Sequence, residues 1–443
     1  MLLFVGGPSA AALGTTDQGG IVMAARSLLS ALAMIGIAGV SAAQEGVYFA
    51  SDQGSRGEPV RLACAVDTGC FENSGICTHR RDCGCGNCGF RIDGWLEGGF
   101  LLNADKSPSG YHGPYNQSDR HEGELGQAYL ILERPLEDSP FMSVGGRVDL
   151  LYGTHFFLAQ SKGLEQYADG GSRWNDDHYG LAVPQAYGEI GNDRLSVKVG
   201  HFYTIIGYEG VPAVNDFFYS KSLSYMLGGP FVHWGGLATW KANDRLSFDV
   251  GLVNGWDAFD RVSDQASFLG RVSLGNDLDP IWTSFAIITG DELNDTAADS
   301  TNRTRYSFIV GANLTTRVQY VFHHWYGIQD GFFAATGQSA KWYGIDQYLY
   351  YEVSPSVRLG GRFEWFRDDD GARLGLSRPS NPNKGPYIGD MYSLSLGVNW
   401  SPCRNLMFRP EVRWDWFDGI GLPFDDGADD SQFLVGMDAI WRF

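Results

Sequence analysis

Near the carboxy terminus, apolar and polar residues alternate with a period of two. Phe408, Val412, Trp414 and Trp416 fall on one face of a segment whose other face carries Arg409, Glu411, Arg413 and Asp415. In the next segment Phe433, Val435, Met437, Ala439, Trp441 and Phe443 oppose Gln432, Asp438 and Arg442. This period is that of a β-strand. Followed back along the chain, the same alternation and the turn residues between segments predict sixteen strands. They lie at roughly 90–103, 124–133, 141–152, 181–190, 194–203, 230–241, 245–254 and 267–275. Eight more lie at roughly 280–290, 303–314, 316–327, 339–353, 356–367, 390–400, 405–417 and 431–443.

Alternation alone proves only one-sided burial, which a soluble sheet also has. The connections decide the class. Short ones such as Gly191-Asn192-Asp193, Ala242-Asn243-Asp244 and Ser354-Pro355 take turns with long ones at 104–123, 153–180, 204–229, 255–266, 291–302, 328–338, 368–389 and 418–430. Short turns on one rim and long loops on the other predict an all-β fold. It is a transmembrane antiparallel up-and-down β-barrel of about 16 strands, with short periplasmic turns and long extracellular loops. An even count puts both ends of the barrel on the periplasmic side.

Composition agrees. The 443 residues include 59 glycines and 14% aromatics, and a mean hydropathy of −0.19 fits a chain in which only every second strand residue meets lipid. The one long apolar run, Leu28 to Val40, is shorter than the roughly 20 residues of a spanning helix and follows Arg26. It predicts a signal peptide over 1–43, with Met23 as the expected true start and Ser41, Ala42 and Ala43 at the processing site. The net charge of −19 argues against nucleic acid. It suits cation-attracting mouths, or simply soluble surface loops.

Residues 44–89 form a separate segment, with Cys64, Cys70, Cys77, Cys83, Cys85 and Cys88 close together. In an exported chain such a cluster predicts disulfides, in a pairing the sequence leaves open. Two alternatives stand: a zinc or iron–sulfur site using Cys83-Gly-Cys85-Gly-Asn-Cys88 near His79, whose spacing matches no standard finger, and crosslinking to an envelope partner. No cofactor or metal is expected.

The barrel occupies 90–443, and sixteen strands enclose an aqueous channel. Its inward polar faces would carry Arg147, Asp149, Lys198, Asp249, Arg358, Arg362, Glu364, Arg409, Glu411, Arg413 and Asp415. Facing lipid, such a charge would cost about 2–4 kcal/mol near the midplane. Inside, these residues either form rings that set ion selectivity or pair across the sheet to stabilise the wall. His201, His233 and His323-His324 lie in no recognisable nucleophile motif, so catalysis is not expected. The acidic tips Asp425-Asp426 and Asp429-Asp430 lack the spacing of a calcium loop.

The run His201-Phe202-Tyr203-Thr204-Ile205-Ile206-Gly207-Tyr208-Glu209, with Val253-Asn254-Gly255-Trp256-Asp257, Pro184-Gln185-Ala186-Tyr187, Asp93-Gly94-Trp95 and Glu133-Arg134-Pro135, resembles the OmpL-like β-barrel porins of bacterial outer membranes. The resemblance covers about 90–443 and leaves the cysteine segment unexplained. It implies a porin-like channel, and the barrel reading adds passive passage of small hydrophilic solutes or ions, contact with outer-membrane lipid and an architecture compatible with a homotrimer. A structural barrel crosslinked to the envelope is the first alternative, and a rim hydrolase the second. By analogy with general porins, the third long loop would fold inward, so that Glu209 and Asp216, with Lys221 nearby, face arginines across an eyelet.

Overall fold

The computed structural model describes residues 76–77 and 89–443, apart from 106, 108, 110–111, 116, 118–121, 168–170, 176–177, 261–263, 294–299 and 375–386. The expectations of a signal peptide over 1–43 and of disulfides among Cys64, Cys70, Cys77, Cys83, Cys85 and Cys88 lie outside the described residues. Of that region only the two-residue strand Ile76–Cys77 is described, parallel to Phe90 and Arg91.

Sixteen strands follow: β1 Phe90–Asn103, β2 Glu124–Arg134, β3 Ser143–Gly153, β4 Gly180–Gly191, β5 Leu195–Tyr203, β6 Val232–Lys241, β7 Leu246–Val253 and β8 Ser267–Leu274. Then come β9 Ile281–Leu293, β10 Ser300–Asn313, β11 Val318–Phe333, β12 Gln338–Ser354, β13 Val357–Asp368, β14 Ile388–Cys403, β15 Leu406–Ile420 and β16 Ser431–Arg442. Each pairs antiparallel with its neighbours in sequence, and β16 pairs with β1, so the sheet closes and no edge remains in the barrel. Closure lets every strand satisfy its backbone within a bilayer. The expected strands correspond one to one with those observed.

The seam is fastened by the chain end. Phe443 donates its N–H to the Gly94 carbonyl at 3.1 Å, and Gly94 donates back to the Phe443 carbonyl at 3.3 Å. A Cβ on Gly94 would come within 2.5 Å of the Phe443 ring, so glycine here makes room for the terminal aromatic.

Outward positions are apolar. Val148, Val199, Val250, Leu252 and Leu349 are all exposed large hydrophobics. On the outer face of β9 to β15 the aromatics form a belt. Phe285 lies 5.8 Å from Tyr306, Tyr306 5.9 Å from Tyr326, Tyr326 6.0 Å from Tyr343 and Tyr343 5.8 Å from Trp365. Trp365 is in register with Tyr392, whose ring stacks 5.3 Å from Trp416. Such a girdle is what a lipid–water boundary favours.

Two long loops are shorter than expected. β9 runs on to Leu293 and β10 starts at Ser300, while β11 reaches Phe333 and β12 begins at Gln338, so the hairpin proposed as 328–338 turns within 334–337. Gly331, at φ +56°, sits in the register shift that carries the ladder past Gln329. Above the lipid neither face of a hairpin needs to be apolar, so alternation stops marking the strand before its hydrogen bonds stop.

Candidate functional site

Two register rows carry inward side chains: Asp249, Arg271, Ala286 and Ser307 across β7 to β10, and His323, Asp346, Glu364, Ser393, Asp415 and Gln432 across β11 to β16, with Ser307 itself in register with Trp325. Period-two alternation puts them on the inside. Several of them, among them Asp346 and Glu364, meet the connection between β5 and β6, residues 204–231, which lies within the barrel. It contains a 3₁₀ turn, Ala213–Asn215, and a short helix, α1 Leu223–Gly228, whose N-cap Ser222 accepts from the Tyr225 N–H.

The wall holds this loop largely by its backbone. Arg409 Nη1 donates to the carbonyls of Ala213 at 2.8 Å and Asp216 at 2.6 Å, while its other nitrogens bind Asp438. Arg362 Nη1 reaches Glu209 Oε1 at 2.9 Å and the Ser220 carbonyl at 2.8 Å. Arg413 Nη1 donates to the Lys221 carbonyl at 2.9 Å and its Nε to Asp415 at 2.7 Å. Acids take the loop's donors: Glu411 accepts the Ser220 N–H, Glu364 the Leu223 N–H and Asp346 the Ser224 hydroxyl. On the other side Gln127 of β2 donates to the Val211 carbonyl at 2.7 Å and accepts the Ala213 N–H at 3.0 Å. A loop placed in a lumen must find partners for its peptide groups, and these charged side chains supply them.

Glycine windows seat the loop's aromatics. A Cβ on inward-facing Gly360 of β13 would lie 2.3 Å from the Phe217 ring, and one on Gly397 of β14 3.1 Å from Phe218. A Cβ on Gly229 would fall 1.3 Å from Arg305 Nη1. The bare backbone lets the rings and the guanidinium lie flat against it.

The expected residues divide into two groups. Arg362, Glu364, Arg409, Glu411 and Arg413 touch the loop, with Asp415 bracing Arg413; all six are buried. Arg358 lies 5.8 Å from the loop's Phe217 ring, and Arg147, Asp149, Lys198 and Asp249 lie elsewhere. Arg147 pairs with Asp149 at 2.7 Å, and Arg271, absent from the expected set, pairs with Asp249 at 2.8 Å. Among the loop acids, Glu209 does meet an arginine, Arg362, but in direct contact and not across a gap. The expectation for Asp216 is corrected: its carboxylate pairs with Lys221 of the same loop, and only its carbonyl faces Arg409. An arginine prefers a peptide oxygen where the loop backbone, not a side chain, comes closest. Burial alone would raise the Glu209 carboxyl, but the Arg362 guanidinium and the Ser222 N–H hold it below the usual carboxylate range. Burial raises the Asp216 carboxyl, and Lys221 only partly offsets it.

Among the histidines, His323 Nε2 lies 2.9 Å from Ser307 Oγ, and its Nδ1 2.8 Å from Asp346 Oδ2. The order is that of an acyl-transfer triad. Ser307 is 1% exposed, however, and Asp346 is engaged by the loop's Ser224, so the chain of bonds braces α1 against the wall.

Residues 89–443 match the family described as "Putative beta-barrel porin-2, OmpL-like", and the chain belongs to it. Solved structures share the fold at low identity. The outer membrane channel DcaP of Acinetobacter baumannii aligns with a TM-score of 0.55 and 13% identity, over 80% of this chain and 97% of that one. The anion-selective porin from Comamonas acidovorans gives 0.52 and 10%, over 80% and 99%, and Pseudomonas putida OprB 0.52 and 12%, over 80% and 94%. No curated protein sequence matches the chain. Family and fold together make the protein an outer-membrane channel.

Proposed function

We propose that this OmpL-like barrel lets small hydrophilic solutes and ions diffuse passively across the outer membrane, between the inner loop and the wall of β3 to β8. The observation that supports this reading is the one-sided hydrogen bonding of the loop; toward β3 to β8 the described residues of 209–228 share only apolar clusters, with Leu151, Leu237, Val253 and Leu269 among the wall members. Among the described residues, wall hydrogen bonds to residues 209–228 come from β2, β10, β12, β13, β15 and β16. On β3 and β8, inward Arg147 and Arg271 keep 20% and 34% of their side chains exposed. With this reading go export by a signal peptide over 1–43, a disulfide-bonded 44–89 segment in the periplasm that could engage an envelope partner, and assembly as a homotrimer. The test is single-channel recording of the refolded protein in a planar bilayer. Stepwise open currents are expected; a folded, inserted and silent barrel sinks the proposal.

A further inference from the structure

Lys198 and Arg358 stand on β5 and β13, half a turn apart in the ring of sixteen strands, so they lie on opposite walls of the barrel, Arg358 beside the loop's Phe217. Both point inward, since their neighbours Val197, Val199 and Leu359 are exposed on the outer face. Both lie close to the short-turn rim, within four residues of the strand starts at Leu195 and Val357. Among the described residues neither forms an ion pair. Aromatic rings hold them instead. Lys198 Nζ lies 5.1 Å from the Tyr187 ring and 5.6 Å from Phe202, and Arg358 Cζ lies 4.3 Å from Tyr350 and 5.8 Å from Phe217. Arg358 also donates to Gln319 at 2.8 Å. A ring face positions a cation without cancelling its charge.

At the same end of the lumen the paired charges are asymmetric. Arg147 is 20% exposed where its partner Asp149 is fully buried, and Arg271 is 34% exposed where Asp249 is 2%. In each pair the guanidinium is the member that water reaches. The other acids here are Asp93 and Glu133, both on Arg91, Asp438 on Arg409, Glu189 in register with Lys198, and Glu352 in register with Arg358. Formal charges at this level nearly cancel, so the sign presented to solvent decides what enters. Charge lining a pore sets its ion preference.

We infer that the channel prefers anions, and that Lys198 and Arg358, with the exposed ends of Arg147 and Arg271, form its filter at the periplasmic end. This rests on the channel reading above and adds to it a ligand class, small inorganic and carboxylate anions. The chain's acidic total of −19 would by itself suggest the opposite preference.

The experiment is the reversal potential of the full-length refolded protein in a KCl gradient, compared with the double variant Lys198→Glu and Arg358→Glu. Wild type should favour chloride over potassium, and the double variant should reverse the sign. The single variant Lys198→Gln, which breaks no ion pair, guards against misfolding of the double variant and should lower the chloride preference. A potassium-favouring wild type, or folded variants with an unchanged reversal potential, overturns the filter while leaving the channel. A folded and inserted barrel without current overturns the channel reading and the filter with it.

Discussion

The barrel has a tall wall and a short one, and the same residue types behave differently on each. β11, β12, β14 and β15 have 16, 17, 16 and 15 residues, against 9, 8 and 8 for β5, β7 and β8. On the tall wall, inward Arg362, Arg409 and Arg413 reach off the sheet to loop carbonyls and are sealed from water. On the short wall, Arg147 and Arg271 fold back onto acids of their own sheet and keep an edge in the lumen. Strand position therefore fixes only that a charge points inward. Whether it lines water or holds a loop depends on which wall the loop leans against.

The sharpest way to break this contrast is Arg362→Ala. It removes bonds to Glu209, the Ser220 carbonyl and the Ser220 hydroxyl, and leaves Glu364 buried without its close partner. Breaking a buried pair on one side costs about 3–5 kcal/mol. The expected result is release of the loop, read as faster trypsin cleavage at Lys221, the one basic residue of 204–231, and as noisier single-channel current. Unchanged cleavage would mean that the guanidinium does not anchor the loop.

Gly360→Leu attacks the same seat without touching a charge. The new side chain would occupy the place of the Phe217 ring. Overpacking of this kind costs about 1–3 kcal/mol. Trypsin sensitivity at Lys221 should rise, by less than in Arg362→Ala. A leucine tolerated without any change would mean that Phe217 is not seated on that window.

A smaller effect is expected from acid. Glu209 is held below the usual carboxylate range, so folded protein binds its proton less readily than unfolded chain does. Its contribution is complete above the unfolded value of about 4.3 and is lost as pH falls through the lower folded value. The loop should stay protected from pH 7 into mild acid and loosen only below about 4. Glu209→Gln should show weakened protection at pH 7 and no further step from this residue on acidification, measured by hydrogen exchange of the 209–222 amides. An acid step of equal size in the variant would assign it to other groups, among them Asp216.

Much of this was legible in the chain. Sixteen strands, their faces and the inward charges follow from period-two alternation, because a bilayer penalises every error of face. The hairpin at 334–337 was hidden, since above the lipid that penalty lapses. The inward placement of the loop was reached only by analogy, and of its partners only an arginine for Glu209 was anticipated. Arg409 binds the carbonyls of Ala213 and Asp216, and a carbonyl leaves no trace in sequence. A trace did exist at Gly360, an inward glycine between Arg358 and Arg362, whereas Gly397 sits among the small inward residues Ser393, Ser395 and Ser401 of β14. A missing side chain on a wall signals that something else is packed there.

The weakest perturbation tests the short wall. Lys198→Gln removes no ion pair among the described residues and replaces the ammonium that lies over Tyr187 and Phe202 by a shorter neutral side chain. Stability should therefore change by less than about 0.5 kcal/mol, as for substitutions away from buried partners. Trypsin sensitivity at Lys221 should match wild type, because none of the wall bonds to residues 209–228 comes from β5. On the tall wall a change of charge must first alter the loop, and only through the loop the current. On the short wall the charge and the loop are separable, and the thermal midpoint in detergent, taken beside the cleavage rate, measures that separation. If Lys198→Gln freed the loop as Arg362→Ala is expected to, the two walls would be one coupled structure.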